Sequence, residues 1–267
     1  MTTAAQMPWR LAGALVLSAG CVQSHYNLAS RHQDYSLTST EREIELGRKL
    51  ARRVSEELTL ADDATLQQRM GAIGTRIAAV CDRRELTYHF AALDDDKEVN
   101  AFSLPGGYVF VYTGLIERTA TDDELAAVIA HEVAHVAARH AVKRYEGGLG
   151  LQIAQLAALA SRHPQAAHGI SAAGGAAQLA YARQDELEAD RLAVAYMRSA
   201  GFDPNGMFTF LETLREIHRE QVQYLPRGVV RPSYALTHPY IPERLLAVKE
   251  ALFGVADYID YLNAPAR

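Results

Sequence analysis

The chain has 267 residues, a formal net charge of -5 at pH 7, and a composition that is 49% hydrophobic and 22% charged. These values are typical of a globular protein with one well-cored domain. No concentrated stripe of Lys and Arg interrupts this slightly acidic chain, which argues against nucleic acid as a partner.

The first residues have the pattern of a secretory leader. Arg10 is followed by a short apolar run, LAGALVLSAG, which leads to Cys21. The run is too short to span a membrane, and its ending LSAGC resembles a bacterial lipobox, in which cleavage precedes a lipid-bearing Cys. We therefore expect a lipoprotein signal peptide at 1–20 and a lipid anchor at Cys21; an ordinary signal peptide with an incidental Cys is the alternative. Val22 follows where inner-membrane lipoproteins carry Asp, which by resemblance to enterobacterial lipoproteins favours the outer membrane.

The remainder divides into a tether and one domain. Residues 21–37 are polar and irregular in pattern, and a single domain is expected at 38–267 because neither a long repeat nor a second linker interrupts it. Cys81 is the only cysteine besides Cys21, so no internal disulfide is expected in the mature chain. It ends an apolar helical pattern and is predicted to be a small core residue.

The domain begins with two helices and two strands. Thr40 and Glu43 fit a capping box at the start of the first helix, and a second helix carries one apolar face from Leu66 to Val80. LTYHFAAL and GGYVFVYTG are rich in β-forming residues and are predicted to be strands. The strand Tyr108–Tyr112 lies either at a sheet edge, where an extended peptide could add to it, or in the interior.

The next segment, DELAAVIAHEVAHVAARHA, is predicted to be a helix capped by Thr121 and Glu124. The chain after it is predicted to be helical apart from one loop. Two helices are expected within 147–180, separated by a break around SRHPQAAHG. They are followed by a helix from about Gln184 to Ser199, a helix starting at Asp203 and Pro204, a loop over 221–239, and a last helix from about Pro242. The expected fold class is α+β, mostly helical, with a small β-sheet.

Three polar residues stand in the apolar centre of DELAAVIAHEVAHVAARHA. His131 and His135 are four residues apart and so share one helical face, where two imidazoles can bind one zinc ion. Glu132 is turned about 100° from His131 and can act as general base toward a water beside the metal, which is the HExxH pattern. Because the neighbouring residues are apolar, this part of the helix should be buried, and its polar groups then need partners or a cavity. The alternative is a core helix whose polar groups bond to one another.

His140 lies close to this pair in sequence but fails the same geometric test. It is nine residues from His131, which on a helix places it on the opposite face. We assign it no metal role and expect an exposed or hydrogen-bonded surface histidine.

A catalytic zinc site needs a third protein ligand, and the candidates lie in ARQDELEADRLAVAYM. Glu186 and Asp190 share a stripe with small and apolar residues that should face inward. Glu186 is therefore the expected metal ligand, and Asp190 would accept a hydrogen bond from the far ring nitrogen of a ligand histidine. Glu188 is predicted to form a solvated pair with Arg191, and Asp185 suits the helix dipole. An acidic surface helix is the alternative.

These residues make the chain resemble the HtpX/BepA/LoiP-like zinc metalloendopeptidases, gluzincins that include the CAAX prenyl endopeptidases. HEVAH matches the family's zinc helix, and ELEAD matches its ExxxD helix, in which the first Glu ligates zinc. NAFSLPGGYVFVYTGL, AGFDPNGM and THPYIPER resemble three further motifs, so that the resemblance covers about residues 40–250. Ala182 departs from the Ser common before the Arg in these proteins. The resemblance implies a zincin-like metalloprotease domain with its small sheet beside the zinc helix. It implies one Zn2+ per chain held by His131, His135 and Glu186.

The motif THPYIPER implies a place near the zinc for His238 and Arg244. They could donate to the oxyanion or to the substrate backbone. His238 could instead cover the open zinc position as a gate in the resting enzyme, with residues 222–237 as a lid. The remaining alternative is an ordinary helix start, with Pro242 in the first turn and Arg244 in a surface ion pair.

The predicted function is zinc-dependent hydrolysis of peptide bonds in unfolded or misassembled envelope proteins, with Glu132 as general base. The expected setting is the periplasm, with the membrane reached through the anchor at Cys21 and outer-membrane assembly machinery as a candidate partner. Some members of this family have membrane spans or a helical repeat domain, and we expect neither in this chain beyond the signal peptide. Two alternatives stand beside this one. The first is a periplasmic chaperone or assembly lipoprotein with a latent or structural zinc site, and the second is a zinc hydrolase acting on a cell-wall amide.

Overall fold

The structure, a computed structural model, describes residues 23–27, 31–148, 183–224 and 238–254. The strands are β1 (Gln23–Asn27), β2 (His32–Ser36), β3 (His89–Leu93), β4 (Ala101–Leu104) and β5 (Tyr108–Tyr112). The helices are α1 (Thr40–Glu57), α2 (Ala64–Ala78), α3 (Thr113–Ile116), α4 (Asp122–Ala137), α5 (described over 140–148), α6 (described over 183–199), α7 (Asn205–Tyr224) and α8 (Ile241–Phe253). The predicted α+β, mostly helical class is confirmed.

Among the described residues, no helix combines the length and the hydropathy needed to cross a lipid bilayer.

A three-stranded sheet in the order β3-β5-β4 lies beside α4. β3 runs parallel to β5, with His89 opposite Tyr108, and β4 runs antiparallel to it, with Ala101 opposite Val111. β5 is therefore the central strand, so placing Tyr108–Tyr112 at an edge is wrong and the interior alternative is confirmed. Within the described part of the chain, β4 has a strand on one side only and is the edge nearest α4.

The hydrogen-bond pattern of β4 decides which of its main-chain groups remain at that edge. The Tyr112 N–H donates to the Asn100 carbonyl at 3.0 Å. Because bonded and non-bonded pairs alternate in an antiparallel ladder, the main-chain groups of Ala101 point away from β5. The free side of β4 thus begins at the Ala101 carbonyl.

The core surrounds α4, which packs against α2, α7, β4 and β5. Every residue from Glu124 to Ala137 is buried, as expected for a helix that is apolar on all sides. The predicted cap is present: the Thr121 hydroxyl accepts from the Glu124 N–H at 3.2 Å, and the Glu124 carboxylate accepts from the Ala120 N–H at 2.7 Å. Cys81 is a free, fully buried thiol, as predicted.

The start of the domain departs from expectation. The predicted irregular tether contains a two-stranded antiparallel sheet, β1–β2. The cap of α1 is Ser39, whose hydroxyl accepts from the Arg42 N–H at 3.3 Å, so the capping box at Thr40 and Glu43 is wrong. The Glu43 carboxylate is instead buried, within 2.9 Å of Arg83 and 3.0 Å of Arg139. Two buried guanidinium groups outcompete the local cap for this carboxylate.

Two predicted connections lie wholly or partly outside the described residues. The break expected around SRHPQAAHG lies entirely within 149–182, outside the described residues. The loop expected over 221–239 is helical up to Tyr224, the last described residue of α7, and residues 225–237 lie outside the described ranges. The helices predicted from Gln184, Asp203 and Pro242 are present as α6, α7 and α8.

Candidate metal centre

Three helices bring the predicted site residues together at one buried point. α4 contributes three side chains, α6 contributes two, α8 contributes Arg244, and the segment just before α8 contributes His238. All seven side chains are 6% exposed or less: His131, Glu132, His135, Glu186, Asp190, His238 and Arg244. Such a cluster of ionisable groups in an apolar core requires internal partners or a bound ion.

Four of these residues direct a ligand atom at a common point, all within 4.8 Å of one another. The separations are His131 Nε2 to His135 Nε2, 3.0 Å; His131 Nε2 to Glu186 Oε2, 3.3 Å; His135 Nε2 to Glu186 Oε1, 3.4 Å; His131 Nε2 to His238 Nδ1, 3.3 Å; and His238 Nδ1 to Glu186 Oε2, 3.2 Å. Tetrahedral zinc with bonds of about 2.0–2.1 Å requires ligand separations of about 3.3–3.4 Å. The donor set therefore fits a zinc ion in chemistry and in spacing.

His131 is oriented through its far ring nitrogen. Its Nδ1 lies 2.9 Å from Asp190 Oδ1. Burial and the nearby Arg244 lower the pKa of His131, but Asp190 and Glu186 outweigh them and raise this pKa to about 9. A metal at Nε2 has to displace that proton, so binding is coupled to proton release.

His135 has a different environment. Burial holds the pKa of His135 well below its usual value, so the neutral ring that a metal requires is already favoured. Its far nitrogen, Nδ1, lies 2.8 Å from Nδ1 of His140.

His140 is fully buried, so the predicted surface histidine is wrong. α4 ends at Ala137, and Arg139 adopts φ 59, which turns the chain back toward His135. Nε2 of His140 lies 3.2 Å from Glu188 and 3.5 Å from Asp185. Glu188 therefore contacts a buried ring rather than forming the predicted solvated pair, and Asp185 has a partner beyond the helix dipole. The expectation that His140 is no metal ligand is not contradicted.

Glu186 is held as a carboxylate. Burial alone would raise its pKa, but His238, Arg244 and His135 lower the pKa of Glu186 well below the usual value. Arg244 Nη1 lies 3.1 Å from Glu186 Oε2. Because Arg244 is completely buried, the surface ion pair considered for it is wrong.

Glu132 has one carboxylate oxygen, Oε1, that is buried without a hydrogen-bond partner among the described residues. His238 Nε2 lies 3.3 Å from this atom, but the hydrogen bond of His238 Nε2 is to the Ala101 carbonyl, also at 3.3 Å. An unpaired buried acceptor is costly. Glu132 thus presents an acceptor next to the four-donor cluster, where a water could lie.

The chain is similar to one family model and to several known proteins. A model of peptidase family M48 matches residues 64–252. The beta-barrel assembly-enhancing protease of Escherichia coli (strain K12) is 32% identical over 229 residues, which cover 79% of this chain and 44% of that protein. The protein of the same name in Yersinia pestis is 31% identical over 222 residues, 78% of this chain and 43% of that protein. The mitochondrial metalloendopeptidase OMA1 of Schizosaccharomyces pombe is 32% identical over 179 residues, 66% of this chain and 50% of that protein. The chain spans half or less of the length of these relatives.

Proposed function

The chain belongs to peptidase family M48, and from that premise we propose that it is a zinc-dependent endopeptidase whose metal ligands are His131, His135 and Glu186. The observation that carries the proposal is the buried cluster of donors at tetrahedral spacing, with the unpaired Glu132 oxygen beside it. A structural zinc site would not require a buried acceptor next to the metal.

The chemistry follows from the positions of the side chains. Zinc, when bound, supplies Lewis-acid polarisation of a carbonyl and a lowered pKa for water. Glu132 takes the proton of the attacking water through its unpaired oxygen and can pass that proton to the leaving amine. Asp190 holds the His131 ring through Nδ1, and Arg244 holds both Asp190 and Glu186, so the ligands are fixed before substrate arrives.

The free side of β4 is the proposed place for an extended peptide. Its first outward group is the Ala101 carbonyl, which lies at the site itself. A peptide added there would be held by main-chain hydrogen bonds, which read backbone more than side chains. This mode of binding suits unfolded or misassembled proteins as substrates.

His238 is proposed to gate the site. Its Nδ1 takes the fourth corner of the donor cluster, and its Nε2 bonds to the Ala101 carbonyl. A substrate needs both places, so His238 has to leave before hydrolysis. This arrangement favours the gate over direct stabilisation of the oxyanion. It also supports a second candidate function, an assembly factor or chaperone whose zinc site stays latent.

The proposed setting is the bacterial envelope. The LSAGC motif supports a lipid anchor at Cys21, and Val22 supports the outer membrane. Two of the relatives are named for beta-barrel assembly, which supports substrates or partners in outer-membrane assembly for this chain too.

The decisive experiment compares wild type with Glu132→Gln for zinc content and for cleavage of an unfolded protein. We expect the variant to keep one zinc per chain and to lose about 10²–10⁴-fold in rate, the usual worth of a general base. Glu212→Gln, on an exposed part of α7, is the matched control and should cleave like wild type. Cleavage by Glu132→Gln at the rate of wild type would overturn the proposal, and so would a wild-type protein that binds no zinc. If Glu132→Gln lost cleavage in vitro yet fully replaced wild type in a deletion strain, the latent-site alternative would be favoured.

A further inference from the structure

The far nitrogen of His135 faces another imidazole, whereas that of His131 faces a carboxylate. His135 Nδ1 and His140 Nδ1 are 2.8 Å apart, a hydrogen-bond distance, and both rings are buried. Exactly one of the two nitrogens has to carry the proton for a bond to form. In two neutral rings, the tautomer of one therefore fixes that of the other.

The atom of His135 that faces the metal site decides which of the two nitrogens carries the proton. Nε2 of His135 points into the donor cluster, 3.0 Å from His131 Nε2. When Nε2 offers its lone pair to a metal, the neutral ring carries its proton on Nδ1, which donates to His140. His140 then accepts at Nδ1 and carries its own proton on Nε2. That proton faces Glu188 at 3.2 Å and Asp185 at 3.5 Å, both acceptors.

The turn that delivers His140 is itself held at some cost. Arg139 is left-handed at φ 59, a conformation that is unfavourable for a residue other than glycine. Its guanidinium lies 3.0 Å from Glu43 and donates to the Thr38 carbonyl at 2.6 Å. Strain maintained by such contacts is typical of functional positions.

We propose that His140 is a positioning residue for the metal centre. Its Nδ1 accepts a hydrogen bond from Nδ1–H of His135, and its Nε2–H donates to the Glu188 and Asp185 carboxylates. This chain of hydrogen bonds fixes Nε2 of His135 as the ligand atom. The inference rests on the proposed zinc site. The two ligand histidines are thus supported differently, His131 by Asp190 directly and His135 by a carboxylate through one intervening ring.

The test measures zinc affinity, by competition with a chromophoric chelator, in wild type and four variants. His140→Phe keeps a ring but removes the acceptor, and should weaken zinc binding about 10–100-fold, the usual cost of losing an outer-shell partner. His140→Asn puts an oxygen where Nδ1 stood and should restore most of the affinity. His89→Phe, at an exposed histidine of β3, is the matched control and should bind zinc like wild type.

A spectroscopic readout separates positioning from simple packing. In the zinc-loaded protein, nitrogen-15 NMR of the histidine rings should show His135 protonated at Nδ1 and bound through Nε2. If His140→Phe fails to fold, Asp185→Asn combined with Glu188→Gln decides instead, because both side chains are partly exposed at 13% and 21%. That double variant should still bind zinc severalfold more weakly than wild type.

The outcomes distinguish this inference from the proposed function. Wild type that binds no zinc overturns the proposed site and the inference with it. Wild type that binds zinc, together with a folded His140→Phe of equal affinity, overturns the inference alone. A His135 ring bound through Nδ1, or an Asp185→Asn/Glu188→Gln protein of unchanged affinity, does the same.

Discussion

Arg244 binds Asp190 through two hydrogen bonds, from Nε to Oδ2 and from Nη2 to Oδ1, both 2.8 Å long. The pair is completely buried. Asp190 in turn lies 2.9 Å from His131, and Arg244 also reaches Glu186 at 3.1 Å. One guanidinium therefore ties α8 to α6 and, through Asp190, to α4. The stability of the chain and the arrangement of its donor cluster depend on the same contact.

Arg244→Ala should therefore lower the free energy of unfolding of the metal-free protein by about 3–5 kcal/mol, because it removes the guanidinium that pairs with two buried carboxylates. Urea unfolding followed by circular dichroism measures this. Arg215→Ala, which breaks an exposed pair with Glu212 at 48% and 42% exposure, should cost less than about 1 kcal/mol. Losses of similar size in the two variants would contradict the structural role of Arg244.

His238→Ala distinguishes a gate from a transition-state stabiliser by the sign of its effect. If His238 covers the fourth position of the donor cluster, its removal frees that position and should raise kcat/KM severalfold. The smaller the fraction of wild-type molecules in which His238 has left the site, the larger the increase. His89→Ala should leave kcat/KM unchanged. Cleavage of an unfolded protein at matched zinc content is the measurement, and a fall in the rate would contradict the gate and favour direct stabilisation.

Much of the site could be predicted because it depends on helical period alone. His131 and His135 are one turn apart within α4, and Glu186 and Asp190 are one turn apart within α6, so each pair shares a face whatever surrounds it. The buried cluster contains all four residues.

The position of His140 could not be predicted in the same way. The count of nine residues from His131 assumes a continuous helix, whereas α4 ends at Ala137 and Arg139 turns the chain. Neither Gly nor Pro marks that turn in the sequence, and the contacts that hold Arg139 come from Glu43 and Thr38, about a hundred residues earlier. The acids outside the inward stripe of α6 were the available signal, since Glu188 and Asp185 face His140.

The order of the strands in the sheet could not be predicted from the sequence, for a related reason. Tyr108–Tyr112 has the composition of either an edge or a central strand, and its partners β3 and β4 decide between them. Such pairing is a tertiary effect that outweighs local preference. Glu43 is similar, because its local cap signal lost to Arg83 and Arg139.

The thiol of Cys81 should be protected from reagents in the folded protein. It is fully buried, and burial raises the pKa of Cys81 above its ordinary value, while the Tyr88 hydroxyl at 3.4 Å only partly offsets this. Because the thiolate is the reactive form, a Cys21→Ser protein should react with an aromatic disulfide reagent at pH 8 only as fast as it unfolds. Addition of urea should expose one thiol per chain. Rapid reaction without urea would contradict the burial of Cys81.

Two helical glycines should respond to the same substitution with opposite signs. A Cβ at Gly47 of α1 would overlap the main-chain carbonyl of Pro105, which cannot move aside as a flexible side chain would. Gly47→Ala should therefore lose about 1–3 kcal/mol of unfolding free energy, as overpacked sites do. Gly71, within α2, has nothing within 4 Å of the same added atom. Gly71→Ala should gain about 0.5–1 kcal/mol, because alanine restricts the unfolded chain and suits a helix. Urea unfolding of both variants beside wild type measures the difference, and a shift of the same sign in both would contradict the close approach of α1 to the β4–β5 turn.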